Sequence, residues 1–283
     1  MAALDLHPDE LLERLDELTG ELADERPDTA FPDQPPLSAT CLLAFHDPAT
    51  RRCVLASAGQ PAPLLALPDG EVRAVDVPAG PPLGRGAVSH ALTEIDLPEG
   101  SVLALRNAGL PDAGPAALRE ALAAGDGDLQ ETCDAMARAL LPEEPRADAV
   151  LLLARARALT PEQVVTWQLP GDRESAAAAR RLRSRQLTDW GLAELTFSTE
   201  LVASELVTNA VRYSTGPVGL RLIRDRALIC EVADNSSASP HLRHAAEDDE
   251  NGRGLYVVAQ LTERRGTRHS RSGKAIWTEQ PLP

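Results

Sequence analysis

Glu205 and Asn209 stand four residues apart in TELVASELVTNAVRYS, Thr199 to Ser214. Leu201, Val202, Leu206, Val207, Ala210 and Val211 recur there near helical period, which predicts one amphipathic helix with those residues on a core. Four residues is about one turn, so the carboxylate and the amide share a face. They fall beside the apolar stripe, where an unpaired carboxylate is costly. A carboxylate and an amide stacked this way suit a cation and a water. They equally suit a partly exposed helix whose polar residues are merely solvated.

Further candidates lie downstream. Ala227 to Ala233, ALICEVA, is predicted to be a buried strand, and it ends on Asp234-Asn235-Ser236. A polar loop, Ser237 to Asn251, leads to Gly252-Arg253-Gly254-Leu255, which opens a second predicted helix, Leu255 to Leu261. A carboxylate at a strand end can accept an exocyclic amine, although Asp-Asn-Ser is also an ordinary turn sequence. Glycines before a helix let N–H groups point at phosphate, and the helix dipole favours an anion there. Arg253 could add a cation. His241 and His244 are three apart, a possible metal spacing, but no Cys or third His is near them in sequence.

In order, these features are a helix with Glu and Asn, a strand ending in Asp, a loop, Gly-x-Gly-Leu and a helix. This order resembles the nucleotide site of the GHKL (Bergerat) ATPase superfamily, and within it the bacterial anti-sigma-factor serine/threonine kinases. The resemblance covers roughly Gln163 to Pro283. It implies ATP and Mg²⁺ as cofactors, Glu205 as general base near the γ-phosphate, and Asn209 as Mg²⁺ ligand. It further implies that Asp234 reads adenine, with Ser236, Gly252, Arg253, Gly254 and Leu255 completing the nucleotide site. The family pattern is Asp-x-Gly where this chain has Ser236, and often His where this chain has Tyr213. The implied partners are an anti-sigma-factor antagonist, a sigma factor, or both.

At 283 residues the chain is long enough for about two domains. Its 43% hydrophobic and 25% charged residues place it among globular proteins, and with 3% aromatics the core must be built mostly of Leu, Val and Ala. The net charge of −15 argues against nucleic acid or an anionic membrane as partner. No run is apolar enough to cross a bilayer, and MAALDLHPDELLERL lacks a basic leader and an apolar signal core. Cys41, Cys53, Cys133 and Cys230 are scattered, as expected of free thiols in a reducing, cytoplasmic compartment. Lys274 is the single lysine and lies outside any G-x-x-x-x-G-K-[ST] frame, which excludes a P-loop.

The elements needed to position these residues follow in chain order. Asp9 to Glu25 reads as a helix with Leu11, Leu12, Leu15, Leu18 and Leu22 as its stripe. Arg26 to Ser38 is a Pro- and Asp-rich loop. Three hairpins are predicted: Ala39–Phe45 with Arg52–Ala58, Leu64–Leu67 with Glu71–Val77, and Leu92–Leu97 with Ser101–Arg106. Pro115–Ala123 and Leu129–Leu140 are predicted helices, and Ala149–Arg155 a buried strand. After a linker, Ala156 to Glu162, come a strand (Val164–Leu169) and a helix (Arg173–Asp189) packing by Ala177, Leu182 and Leu187. Val218–Ile223 and Leu228–Val232 form a strand pair, and Gly273–Glu279 is the final strand. The fold class is therefore α+β, with domains expected at 1–157 and 158–283.

The first half resembles the C-terminal part of a metal-dependent serine/threonine phosphatase domain of the sporulation stage-II-E type. Ala58-Gly59-Gln60-Pro61, Pro78 to Gly84, Leu103 to Leu110 and Ala147 to Ala154 carry the resemblance. The family's Thr-Asp-Gly is Asn107-Ala108-Gly109 here, and its Asp-Asp is Ala147-Asp148. A metal-dependent hydrolase needs clustered carboxylates, and alanine supplies no oxygen. The expectation is an incomplete phosphatase-type sandwich without chemistry, followed by a two-layer GHKL domain that acts as a serine/threonine kinase. A catalytically silent ATP-dependent binding module and a working phosphatase–kinase fusion are the alternatives. An incomplete sandwich would leave an apolar face or edge uncovered, so a homodimer or a complex with a phosphatase relative is expected.

Overall fold

The computed structural model describes residues 7–25, 37–86, 89–112, 114–125, 127–141, 148–172, 174–236, 253–270 and 273–283, with the side chains of Arg253, Leu255, His269 and Ser270 left out. Two compact units divide the chain, one spanning Pro8–Ala158 and the other holding Leu159–Pro283.

In the first unit, β1 (Cys41–Asp47), β2 (Arg52–Ala58) and β5 (Leu92–Asp96) form an antiparallel sheet in the order β1-β2-β5. A second antiparallel sheet runs β4-β3-β6-β7, from β3 (Leu64–Ala66), β4 (Val72–Ala74), β6 (Val102–Arg106) and β7 (Leu151–Arg155). The core between the sheets comes from Cys53, Leu55, Leu65, Val75, Val77, Leu97 and Leu103. Helix α1 (Pro8–Asp24) covers the smaller sheet, packing Leu12 on Ala56, Ala58 and Leu83. Helices α2 (Pro115–Ala124) and α3 (Leu129–Leu140) cover the larger one, with Leu118, Ala121, Met136 and Leu140 in its core. Asp128 starts α3 by accepting from the N–H groups of Gln130 and Glu131, an N-cap.

Strand β7 was predicted to be buried, and it is not. Leu152 and Ala154 pair with Leu105 and Leu103 and so face the inter-sheet side, yet Leu152 is 54% exposed and Ala154 is exposed. Strand β7 is the edge of its sheet, paired only with β6.

The second unit has two layers. Strands β8 (Val164–Leu169), β9 (Val218–Arg224), β10 (Ala227–Asp234), β11 (Arg264–Ser270) and β12 (Gly273–Pro281) form one antiparallel sheet in the order β11-β12-β10-β9-β8. Helices α4 (Ser175–Asp189), α5 (Thr196–Tyr213) and α6 (Arg253–Leu261) lie on one face. The core between the layers includes Ala179, Val202, Leu206, Val207, Leu220, Leu222, Cys230, Val232, Val258 and Ile276. Helix α4 packs by Ser175, Ala179, Arg183 and Leu187, so Leu187 is buried as predicted while Ala177 is exposed. The stripe is rotated because the helix turns an arginine inward. Strand β11 was not predicted: RRGTRHS lacks apolar alternation because it is an edge strand paired only with β12, and charged residues suit an edge.

Candidate functional site

Helix α5 buries Thr199, Val202, Ala203, Leu206, Val207 and Ala210, a continuous stripe that fixes the helix's rotation. Glu205 and Asn209 therefore fall on its border, each half-buried. Among the described residues neither side chain has a hydrogen bond or an ion pair. Glu205 instead rests on the first turn of α6: a Cβ built on Gly254 would stand 2.1 Å from Glu205 Oε2. Only a glycine lets the helix backbone come this close to the carboxylate. The structure thus brings Glu205 and Gly254 together at the α5–α6 junction, with Asn209 one turn further along α5.

Asp234 ends β10. Its neighbours Cys230 and Val232 belong to the core under the helices, so by strand alternation Asp234 faces the same way. It is buried, and its Oδ1 accepts the Ser236 N–H at 2.7 Å. Asp234-Asn235-Ser236 is therefore a real turn as well as a candidate reading group. Asn235 bonds the backbone of Thr215, through its Oδ1 to the N–H at 3.2 Å and through its amide to the carbonyl. This pins the end of β10 to the segment just after α5. Across the ladder stands Lys274, whose Nζ lies 3.9 Å from Asp234 Oδ2 and 3.4 Å from Ser236 Oγ. Nothing in the sequence pattern marked that pairing, because it depends on the register of β10 with β12.

Gly252, the loop 237–251 with His241 and His244, and the side chains of Arg253 and Leu255 lie outside the described residues. Arg253 and Gly254 begin α6 in backbone terms. A cavity of ≈ 370 Å³ opens at the strand ends, lined by Gln168, Gly219, Glu231, Ala233, Arg268 and Ala275 among others. Glu231, Ala233 and Ala275 sit on the sheet face away from the helices, Asp234, Asn235 and Lys274 also line the cavity, and neither Glu205 nor Asn209 does. There Glu231 bonds both Arg221 at 2.7 Å and Arg268 at 2.9 Å.

Two buried polar groups hold α5 in place. Arg183, fully buried, donates from Nε to Ala179 O at 2.8 Å and from its terminal nitrogen to Thr199 O at 2.6 Å. Burial lowers its pKa, with Cys230 and Glu200 opposing that and Arg180 adding to it. Gln280 accepts from Thr199 Oγ1 at 2.8 Å and donates to Ser198 Oγ at 2.8 Å and Leu261 O at 3.4 Å. It ties the start of α5 to the end of α6, which keeps Glu205 facing Gly254. Neither residue was singled out from the sequence, where an Arg in a helix and a Gln in a terminal strand read as surface.

In the first unit, Asn107 joins the end of β6 to the segment before β7. Its amide donates to Asp148 O at 2.7 Å, and its Oδ1 accepts from Val150 N at 3.0 Å and Gly109 N at 3.2 Å. A Cβ on Gly109 would stand 2.1 Å from Asp148 O, so backbone fills the space beside Ala108. Among the described residues no group of three or more His, Cys, Asp or Glu could hold a metal ion. Ala147 lies outside them. At the end of β6 the chain places Asn107 and Ala108, and alanine supplies no oxygen to a metal. All four cysteines are free thiols, and burial pushes Cys230 up to about 12 and Cys53 up to about 11. No described helix is long and apolar enough to cross a membrane.

Comparison with known proteins agrees with this layout. The family described as stage II sporulation protein E (SpoIIE) matches residues 1–157, and the histidine kinase-like ATPase domain matches residues 169–278. No curated protein matches the chain. Among solved structures, the RsbU and RsbW domains of Rv1364c from Mycobacterium tuberculosis are 20% identical, with 96% of this chain and 79% of that chain covered and a TM-score of 0.39. The phosphatase domain of the cell fate determinant SpoIIE from Bacillus subtilis is 14% identical, with 57% and 77% covered and a TM-score of 0.38. A SpoIIE-type half followed by a histidine-kinase-like ATPase half accounts for both sheets of the first unit and the helix-covered sheet of the second. The chain belongs to the stage II sporulation protein E family and carries a histidine-kinase-like ATPase domain as its second half.

Proposed function

We propose that the second half binds ATP with Mg²⁺ and phosphorylates a serine or threonine of an anti-sigma-factor antagonist, and that the first half performs no hydrolysis. The observation that carries this reading is the half-buried Glu205–Asn209 pair, one turn apart and without side-chain partners among the described residues. A carboxylate one turn from an amide at a core border suits a ligand that brings a cation. The donor set fits the cofactor: Mg²⁺ takes oxygen ligands and keeps several waters, so one amide oxygen beside phosphates suffices.

When bound, ATP supplies the phosphoryl group. Asn209 would hold Mg²⁺ through its amide oxygen. Glu205 Oε2, seated against Gly254, would accept the proton of the attacking hydroxyl, which is worth ~10²–10⁴-fold. Asp234 would accept from the base. Charge stabilisation must supply the rest of the rate. A SpoIIE-type half joined to a histidine-kinase-like half supports a regulator that works by switching partners, with a sigma factor as the released component.

Purified full chain, γ-labelled ATP and a candidate antagonist test the reading. Label on the antagonist is expected with wild type and is expected to be lost with Glu205→Gln. Bound ATP without transfer would instead favour a binding module, which the replaced metal residue Ala108 makes a reasonable second reading.

A further inference from the structure

The chain has a net charge of −15, yet α4 turns arginines to solvent. Arg180, Arg181 and Arg185 are exposed, and among the described residues none of their side chains has a hydrogen bond or an ion pair. The acid within that helix is Asp189, at its last residue. Helix α5 lies alongside. Leu187 packs with Leu195 and Arg183 donates to Thr199 O, so the two helices run antiparallel. Ser184 Oγ donates to Glu200. Arg180, one turn before Ser184, therefore stands beside the next turn of α5, which holds Ser204 and Glu205.

The solvent face of α5 is apolar at its start. Phe197 is 77% exposed, the most exposed large hydrophobic side chain among the described residues. It belongs to neither apolar cluster of the second unit, so the core does not account for it. Leu201, four residues on, is half-buried, and Glu205 is four further. The three follow one another on successive turns of one side of the helix. An apolar strip thus leads to the carboxylate, with unpaired guanidinium groups along its flank.

We propose that this surface docks the phosphate-accepting segment of the protein substrate, and that the segment is acidic and extended. An apolar side chain of it rests on Phe197 and Leu201, its carboxylates meet Arg180 and Arg181, and its hydroxyl reaches Glu205. This rests on the kinase reading above and adds the chemistry of the substrate to it. A chain that brings a hydroxyl to Glu205 from solvent lies against α5, and arginines without carboxylate partners complement an acidic chain. The acidic remainder of the surface repels such a segment, which confines it to this strip. Phe197 and Glu205 are eight residues apart on one helix, about 12 Å at the helical rise. An extended chain covers that span in about four residues. The apolar anchor therefore stands about four residues before or after the acceptor serine or threonine.

The test is fluorescence anisotropy of short fluorescein-labelled peptides with the full chain and magnesium ATP. The parent peptide carries one serine, aspartates beside it and a leucine four positions away, before the serine in one version and after it in the other. Wild type is expected to bind at least one version roughly tenfold tighter than its counterparts with serine for leucine or lysines for aspartates, the scale of losing one anchor. Phe197→Ser is expected to abolish the preference for leucine. Arg180→Glu combined with Arg181→Glu is expected to abolish the preference for aspartate. Both variants should keep the wild-type affinity for ATP, and their side chains are exposed, so the fold is kept. Binding of no peptide by wild type overturns the proposal, as does a preference that survives in its variant. γ-Labelled ATP in the same mixtures separates this from the kinase reading. Peptide preferences as expected without label on the serine overturn that reading and leave the docking surface standing; label without the preferences does the reverse.

Discussion

Replacing Gly254 by alanine separates catalysis from stability at one atom. The new Cβ would lie 2.1 Å from Glu205 Oε2 and 3.0 Å from its Cδ, whereas ordinary contact begins at 3.4 Å. The carboxylate must retreat from 2.1 to at least 3.4 Å, a shift of about 1.3 Å. It can do so, because Oε2 is the far end of a flexible side chain and α6 need not move. Alanine in a helix is favoured over glycine by about 1 kcal/mol, so the fold should be unharmed or slightly stabilised. Misplacing a catalytic group by about 1 Å costs up to ~10²-fold in rate. The expected result for Gly254→Ala is therefore an unlowered melting temperature and a phosphotransfer rate at saturating ATP down by ~10²-fold. Glu205→Gln combined with Gly254→Ala should be no slower than Glu205→Gln alone, since both act through one carboxylate. Wild-type transfer by Gly254→Ala would refute the seating of Glu205 on α6 as a catalytic device.

Other outcomes follow from the same structure. Arg183→Ala should lower the stability of the second unit by roughly 3 kcal/mol, as its bonds to Ala179 and Thr199 are lost and a cavity is left; urea unfolding followed by circular dichroism measures it, and Arg183→Met should recover part of the loss. Asn107→Ala should destabilise the first unit by ~1–3 kcal/mol because three hydrogen bonds vanish, while manganese-dependent hydrolysis of a phosphoserine protein stays at background before and after. Leu152→Asp should shift the full chain toward monomer in light scattering, since Leu152 is 54% exposed on the uncovered side of β7; an unchanged mass would place any self-association elsewhere.

Much of this architecture is legible in the sequence. Strands β2 and β8 and helix α3 span the residues predicted for them, because their signals are short-range. The α5 stripe is equally local, which is why Glu205 and Asn209 could be singled out. What the sequence hides depends on register and on burial of polar groups. Arg183 looks like surface until the carbonyls of Ala179 and Thr199 are seen around it. Lys274 served only to exclude a P-loop until the pairing of β10 with β12 set it opposite Asp234. Strand β11 carries no apolar alternation because its edge must stay polar. Leu152 sits in an apolar run that reads as core, and its exposure goes with the place of β7 at a sheet edge.

The central claim, that the Glu205–Asn209 face binds a magnesium nucleotide, is tested most directly by calorimetric titration of ATP into the full chain. Wild type should bind ATP more tightly with Mg²⁺ than with excess chelator. Asn209→Ala should bind with the same affinity in both conditions, because the amide oxygen that senses the metal is gone. Asp234→Ala should weaken binding in both conditions while keeping the Mg²⁺ dependence, since the base end and the metal end are separate. An Asn209→Ala variant with the full wild-type response to Mg²⁺ would contradict the account.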